Sequence, residues 1–161
     1  MMQYDVKSIL AKESVTAVNY RTRLKGVTVS SATVSARNIA IADPTAVKSG
    51  TWSRSGTLVT VTIANNGVSD GDRVFLDVAA GTTMRDGVYA VSNATQNTFT
   101  VTSATSGTAT GTVDMYTSIY LELDTYNTIG LPVKVPGEGI LCENGIFVGL
   151  GANVTATIFY G

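Results

Sequence analysis

The chain has 161 residues, 14% of them charged and 44% hydrophobic, with 16 glycines, no histidine and a formal net charge of -1. That length suits one good core or two small ones. The near-neutral balance gives no electrostatic ground for binding nucleic acid or a membrane surface. No segment approaches the roughly 18 apolar residues that span a bilayer, and Met1 to Ala17 lacks the continuous apolar core of a signal peptide. The chain is therefore expected to be made in a cytoplasm and not exported by the usual route.

Threonine, valine and glycine recur while lysine and glutamate are sparse, a balance that favours strands and tight turns over helix. Charge is unevenly placed. Lys7, Lys12, Arg21, Arg23, Lys25, Arg37, Lys48 and Arg54 crowd the front against Asp5, Glu13 and Asp43. From Asp114 onward Lys134 stands alone against Asp114, Glu122, Asp124, Glu138 and Glu143. Two readings follow. A basic front meets an acidic back on the next subunit, or the two ends lie side by side and neutralise each other within one subunit.

In chain order, residues 1–18 are expected to form an N-terminal arm laid on a neighbour, or a short amphipathic helix. Val6, Ile9 and Leu10 have helical spacing, and β-branched Val15, Thr16 and Val18 favour the arm. Thr22 to Val29 alternates polar and apolar and reads as a strand, followed by another at Ser35 to Ile41 that stops at Asp43-Pro44. Lys48 to Gly56 has the composition of a linker. Five short, turn-bounded strands are then expected within residues 51–116. They lie at Leu58–Ile63, Arg73–Val78, Gly87–Val91, Thr98–Thr102 and Gly111–Tyr116, a spacing that suits a small barrel or sandwich. Along Ile119 to Asp124 the period is two, with Leu121 and Leu123 on one face and Glu122 and Asp124 on the other.

The last stretch, LPVKVPGEGILCENGIFVGLGANVTATIFYG from Leu131 to Gly161, carries the sharpest turn signal. Asn144-Gly145 between Ile140–Glu143 and Ile146–Val148 predicts a hairpin with a type I′ turn, whose central residues both need positive φ. A strand from Val154 to Tyr160 follows, so the chain is expected to end inside its own sheet as a finished structural module. Cys142 is the single cysteine, read as a small buried thiol.

The pattern PGEGILxExGIFVxL…VTxxxFYG, together with Tyr20-Arg21-Thr22-Arg23-Leu24-Lys25-Gly26-Val27, resembles the ending and upstream segment of small virion proteins of tailed phages, especially phages of cyanobacteria and other marine bacteria. The middle block, GDRVFLD…DGVYAV…NTFTVT, is similar to small β-barrel repeats of phage tail and fibre proteins. The two end pieces flank the middle block. The expected architecture is therefore all-β: a small β-sandwich or jelly-roll-like domain built from residues 19–48 and 117–161, with a small five-stranded β-barrel, 51–116, inserted at one loop. Insertion at an exposed loop costs little stability.

Chemistry is poorly represented. General acid–base work most often uses histidine, which is absent. Glu122 and Asp124 form a carboxylate pair of the kind that hydrolyses glycosides, but nothing in the sequence sets their pKa values apart, and they read as a solvated strand face. Asp70, Asp72, Asp77 and Asp86 offer oxygen ligands to a hard cation, though their spacing fits no calcium loop. Gly137-Glu138-Gly139 and Gly149-Leu150-Gly151 lack the following helix that a phosphate cradle needs. The sequons at Asn93 and Asn153 are expected by chance. Trp52, Tyr89, Tyr116, Tyr120 and Tyr126 would stack on a sugar if they formed one platform, and otherwise pack in the core.

No catalytic, cofactor-binding or metal-binding residue is assigned, and no cofactor is expected. The resemblance implies a non-enzymatic virion protein, assembled in a bacterial cytoplasm. It would work as a homo-oligomer, trimer or higher, against other virion proteins such as the major capsid protein. It would decorate or cement the capsid through inter-subunit β-contacts. The alternative is a tail, neck or fibre component that binds a host-surface glycan.

Overall fold

The computed structural model describes residues 6–31, 38–79, 84–125 and 130–161, and every regular element among them is a β-strand. Their order is β1 Lys7–Ala11, β2 Val15–Val18, β3 Thr22–Ser31, β4 Asn38–Ala42, β5 Val47–Thr62, β6 Arg73–Val78 and β7 Gly87–Ala90. They continue as β8 Thr98–Tyr116, β9 Ile119–Asp124, β10 Leu131–Lys134, β11 Ile140–Cys142, β12 Ile146–Leu150 and β13 Val154–Tyr160.

Strands from both ends of the chain build two antiparallel sheets. One, sheet A, runs β1-β13-β3-β10, with β11 also paired to β3; the other, sheet B, runs β2-β12-β4-β9. Replacing each strand of sheet A by its chain neighbour (β1 by β2, β13 by β12, β3 by β4, β10 by β9) reproduces sheet B. That is the path of a double-sheet jelly roll. Period-two alternation makes it possible. Val27, Val29, Ala156 and Ile158 point inward from sheet A and meet Ile39, Ile41, Ile146 and Val148 from sheet B in one buried cluster. Each of the large aliphatic side chains buried there contributes roughly 1.5–3 kcal/mol.

The segment read as an arm or short helix is neither among its described residues. Lys7–Ala11 pairs with Ala156–Tyr160, and Val15–Val18 pairs with Ile146–Val148, burying Ala11 and Val18. Helical spacing of Val6, Ile9 and Leu10 misleads here. Ile9 packs on the core while Val6 and Leu10 are exposed.

The expected Asn144-Gly145 hairpin does not form either. β11 pairs with β3 in sheet A and β12 pairs with β2 and β4 in sheet B, so the turn between them is a corner from one sheet to the other. Only Gly145 has positive φ, at 112°; Asn144 does not, so no type I′ turn exists. A Cβ on Gly145 would collide with the carbonyl of Val18. Asn144 instead donates through Nδ2 to Asp43 Oδ2 at 2.8 Å, tying the corner to the end of β4.

Strands β5 to β8 lie between β4 and β9 and form a third antiparallel sheet, in the order β5-β8-β6-β7. The linker expected at Lys48–Gly56 is the first half of β5, and the two strands expected at 98–102 and 111–116 are one strand, β8. Glycine and serine in these stretches mark packing, not disorder. Trp52 lies across from Gly111, where a Cβ would stand 2.9 Å from the indole nitrogen. At Gly56, φ +65°, the ribbon bends, and Thr57 faces the longer stretch Ser103 to Ser106. Buried Arg54 fills that bend, donating from Nη1 to Ser103 Oγ (3.2 Å), Thr105 O (3.2 Å) and Thr105 Oγ1 (3.0 Å). The bend brings the two halves of β5 together at Gly50 and Thr62, and a Ser92–Thr100 bridge joins the segment after β7 to β8. Trp52, Val61, Phe99, Val113 and Met115 fill the space so enclosed.

This inserted unit docks on the outer face of sheet B. Outward-pointing Ala40, Ala42 and Phe147 are covered by Phe75, Val88 and Tyr116. Phe147 stacks on Tyr116 with ring centroids 3.7 Å apart and planes 9° from parallel, and Phe75 meets Phe147 edge-on at 5.9 Å. Gly149 is small for a reason: a Cβ there would lie 2.6 Å from the Phe75 ring. At the rim of this contact, Arg73 forms an ion pair with Glu122.

Candidate functional site

Three places on the jelly roll are candidates: its N-terminal edge, a cleft at one end and an acidic group beside the insertion. The edge comes from β1 and β2, the outermost strands of their sheets on the same side of the sandwich. Val6, Leu10 and Val15 are exposed along it. Outermost strands keep a row of backbone N–H and C=O groups without a strand partner, which is the template for pairing with another chain. β1 contains no proline and its register against β13 is unbroken. The opposite edge is defended: β10 carries exposed Pro132 and Lys134, and β9 carries Glu122 and Asp124.

The cleft, about 360 Å³, is lined by Lys7, Tyr20, Arg21, Arg23, Leu141 and Tyr160, among others. The β1–β13 register sets Lys7 opposite Tyr160, and the β11–β3 register sets Arg23 opposite Leu141. Reciprocal backbone bonds between Arg23 and Gly161, at 3.2 and 3.1 Å, fix the floor. Tyr20 and Tyr160 share a hydrogen bond that raises the pKa of Tyr160. Arg21 Nε donates to Glu143 Oε2 at 2.7 Å and Arg23 Nη1 to Gly139 O at 3.4 Å. Three cations against one carboxylate, beside two phenol rings, suit an anionic ligand with an apolar or sugar-like face.

The acidic group consists of Asp77, Asp86 and Asp114. Asp77 and Asp114 are direct cross-strand partners. Burial, then the charges of Asp86 and Asp114, push Asp77 up to about 6. Burial also raises Asp86, against a backbone bond from Val78 N that lowers it. Asp70 and Asp72 stand apart in turns, accepting from Ala94 N at 2.7 Å and Ser69 N at 2.8 Å. Among the described residues no cluster of three or more His, Cys, Asp or Glu has an arrangement that would hold a metal ion.

The sugar platform read from the sequence is dispersed. Trp52 is in the core of the insertion, Tyr116 is stacked on Phe147, and Tyr89 donates its hydroxyl to Arg85 O. Tyr120 packs on the sandwich core, and Tyr126 lies outside the described residues. Tyr20 and Tyr160, which do share a cleft, have no sequence signal beyond being aromatic near opposite ends of the chain. Glu122 is not simply solvated, since it accepts from Arg73 Nε at 3.2 Å and from Asn38 Nδ2 at 3.0 Å. Asn93 and Asn153, the sequon residues, are left-handed turn positions at φ 52° and 62°. The pairing of Arg21 with Glu143 shows the basic front and acidic back meeting within one subunit.

Compared with protein families, curated proteins and solved structures, the chain has no match.

Proposed function

We propose that this chain is a non-enzymatic structural protein of a tailed-phage virion, acting as a homo-oligomer that decorates or cements the capsid through inter-subunit β-contacts. The observation that carries the reading is the contrast between its edges. One edge of the jelly roll is guarded by Pro132, Lys134, Glu122 and Asp124, while the β1–β2 edge, whose strands carry one charged residue, Lys7, presents Leu10 and Val15, with Val6 just before β1, to solvent. Subunits that join through such an edge extend their sheets across the boundary and bury apolar side chains there, so a shell resists internal pressure. The resemblance of the chain ends to small phage virion proteins points the same way. Mass spectrometry of purified virions tests it: the chain is expected in many copies per particle, and its absence from particles made by a phage that encodes it overturns the reading.

The cleft of Tyr20 and Tyr160 favours a second reading, a tail, neck or fibre component that holds an acidic host-surface glycan. Its cations would take the carboxylate while the phenol rings stack on the sugar. Titration with uronic-acid oligosaccharides, followed by NMR, is then expected to shift Tyr20 and Arg23 resonances, with neutral oligosaccharides silent. Equal silence for both removes this reading.

A further inference from the structure

We infer that the insertion rocks on sheet B about its two chain crossings, seated when the carboxylates around Asp77 take up protons and lifted at its far end when all of them are charged. The inference concerns two units of one chain and stands apart from the assembly reading above.

Period two places the groups. Along β6, Arg73, Phe75 and Asp77 share the face that Phe75 turns to Phe147. Along β8, Asp114 and Tyr116 share it too, with Tyr116 opposite Phe75 and Asp114 opposite Asp77. The docking face therefore has two ends. At the near end lie both chain crossings, tied by backbone bonds from Asp43 N to Ser118 O (2.9 Å) and from Thr117 N to Ala46 O (3.3 Å). Arg73 pairs with Glu122 there as well. At the far end, one step beyond the stacked rings, the boundary is a cavity and not a seam. It measures about 380 Å³, with Asp77 and Asp86 on the insertion side and Lys12, Glu13, Leu150 and Asn153 on the jelly-roll side.

Charge at the far end is one-sided. Asp77 faces Asp114 across the ladder, and a 2.7 Å bond from Val78 N holds Asp86 near both. The bend between β1 and β2 adds Lys12 and Glu13. Arg85 lines a separate cleft with Asn38, and Lys48 donates to the carbonyls of Asn65 and Asn66. Among the described residues lining this end, Lys12 is thus one cation against Glu13, Asp77, Asp86 and Asp114.

Like charges repel more strongly where burial strips water from them. Burial, then the charges of Asp86 and Asp114, push Asp77 up to about 6. Burial, then Asp77 and Asp114, also raise Tyr116, so the group acts on the ring that stacks on Phe147. Below about pH 6 Asp77 is neutral, and its hydroxyl donates to a neighbouring carboxylate and lets the cavity close. Well above that pH every member of the group is charged. With the near end pinned, repulsion is relieved by lifting the far end.

Spin labels on Leu10→Cys and Leu58→Cys report the motion. Both leucines are exposed, one on the jelly roll and one past the ribbon bend of the insertion, and Cys142 is buried and takes no label. Double electron–electron resonance is expected to show the label pair moving to longer distance between about pH 5 and about pH 8, with its midpoint near 6. Asp77→Asn, neutral throughout, is expected to hold the short distance at both ends of that range. Asp70→Asn, a turn carboxylate outside the group, is expected to shift as the parent does. Asp114→Asn removes one repelling charge and is expected to move the midpoint to lower pH. A distance that does not change with pH overturns the inference. So does a shift that survives in Asp77→Asn, one lost equally in Asp70→Asn, or a midpoint that Asp114→Asn leaves in place.

Discussion

The two sheets of the jelly roll turn outer faces of opposite character to their surroundings. On sheet B that face is Ala40, Ala42, Phe147 and Gly149, and the insertion covers it with Phe75, Val88 and Tyr116. On sheet A it is Ser8, Leu10, Thr28, Thr157, Phe159 and Pro132, and none of the described residues lies over it as a second layer. One sequence thus makes one face by removing side-chain volume so that rings from another unit seat flat, and the other by threonine, which keeps β-propensity while tolerating water. A sheet covered on both faces reads as continuously apolar, as β12 does, and a sheet covered on one face alternates, as β13 does.

Breaking that comparison at its root means breaking the stacking of the two sheets. Gly145→Val is expected to cost most, about 3 kcal/mol or more, because it combines a β-branched residue at positive φ with a collision against the Val18 carbonyl. Urea denaturation reads the loss. Gly149→Val attacks the covered face alone. Its side chain would drive into the Phe75 ring and is expected to cost roughly 2 kcal/mol, with loss of near-ultraviolet circular dichroism from the Phe75, Tyr116 and Phe147 group.

Smaller changes sharpen the contrast. Asp77 lies beside the insertion's docking side with its pKa raised to about 6, chiefly by burial and then by Asp86 and Asp114. A raised folded-state pKa contributes stability that is fully present below the unfolded value, near 3.8, and is lost as pH rises through about 6. Stability is therefore expected to fall between about pH 4 and pH 7, and Asp77→Asn to flatten that slope and to gain on the order of 1 kcal/mol at pH 7. Asp43 has the opposite sign. Burial would raise it, but bonds from Asn144, Thr45 and Tyr120 outweigh burial and lower it, so its contribution is lost only under acid conditions below that window.

Glu122→Gln, which the period-two reading treats as a neutral surface change, is expected to cost about 0.5–1 kcal/mol. It weakens a half-exposed ion pair between the insertion and β9. Thr157→Val on the open face of sheet A should stay within about 0.5 kcal/mol. A larger effect there would mean that the two faces are not so different.

Much of this architecture is legible in the sequence because it rests on local rules. Alternation marks Thr22–Val29 and Ile119–Asp124 as strands, and the absence of sustained helical period holds throughout the described residues. The all-β, sandwich-like character is as expected, whereas the insertion, expected as a five-stranded barrel within 51–116, has four strands, β5 to β8, from Val47 to Tyr116. What is not legible depends on distant partners. Lys48–Gly56 has a linker's composition, yet pairs with Gly107–Met115 because glycines on one strand make room for Trp52 and Arg54 on the other. Asn144-Gly145 has a hairpin's local signature, yet the strand before it pairs with β3 and the strand after it with β2 and β4, in different sheets. The cleft escapes entirely, since Tyr20 and Tyr160 meet only through the β1–β13–β3 pairing.

The central claim is the proposal that copies of this chain join through the β1 and β2 edge. Cryo-electron microscopy of intact virions that carry it tests that claim most directly, because position, symmetry and edge contacts appear together. The account predicts jelly rolls on the particle that meet one another through their β1 and β2 edges. Density in which each copy stands isolated, with β1 facing solvent, contradicts it.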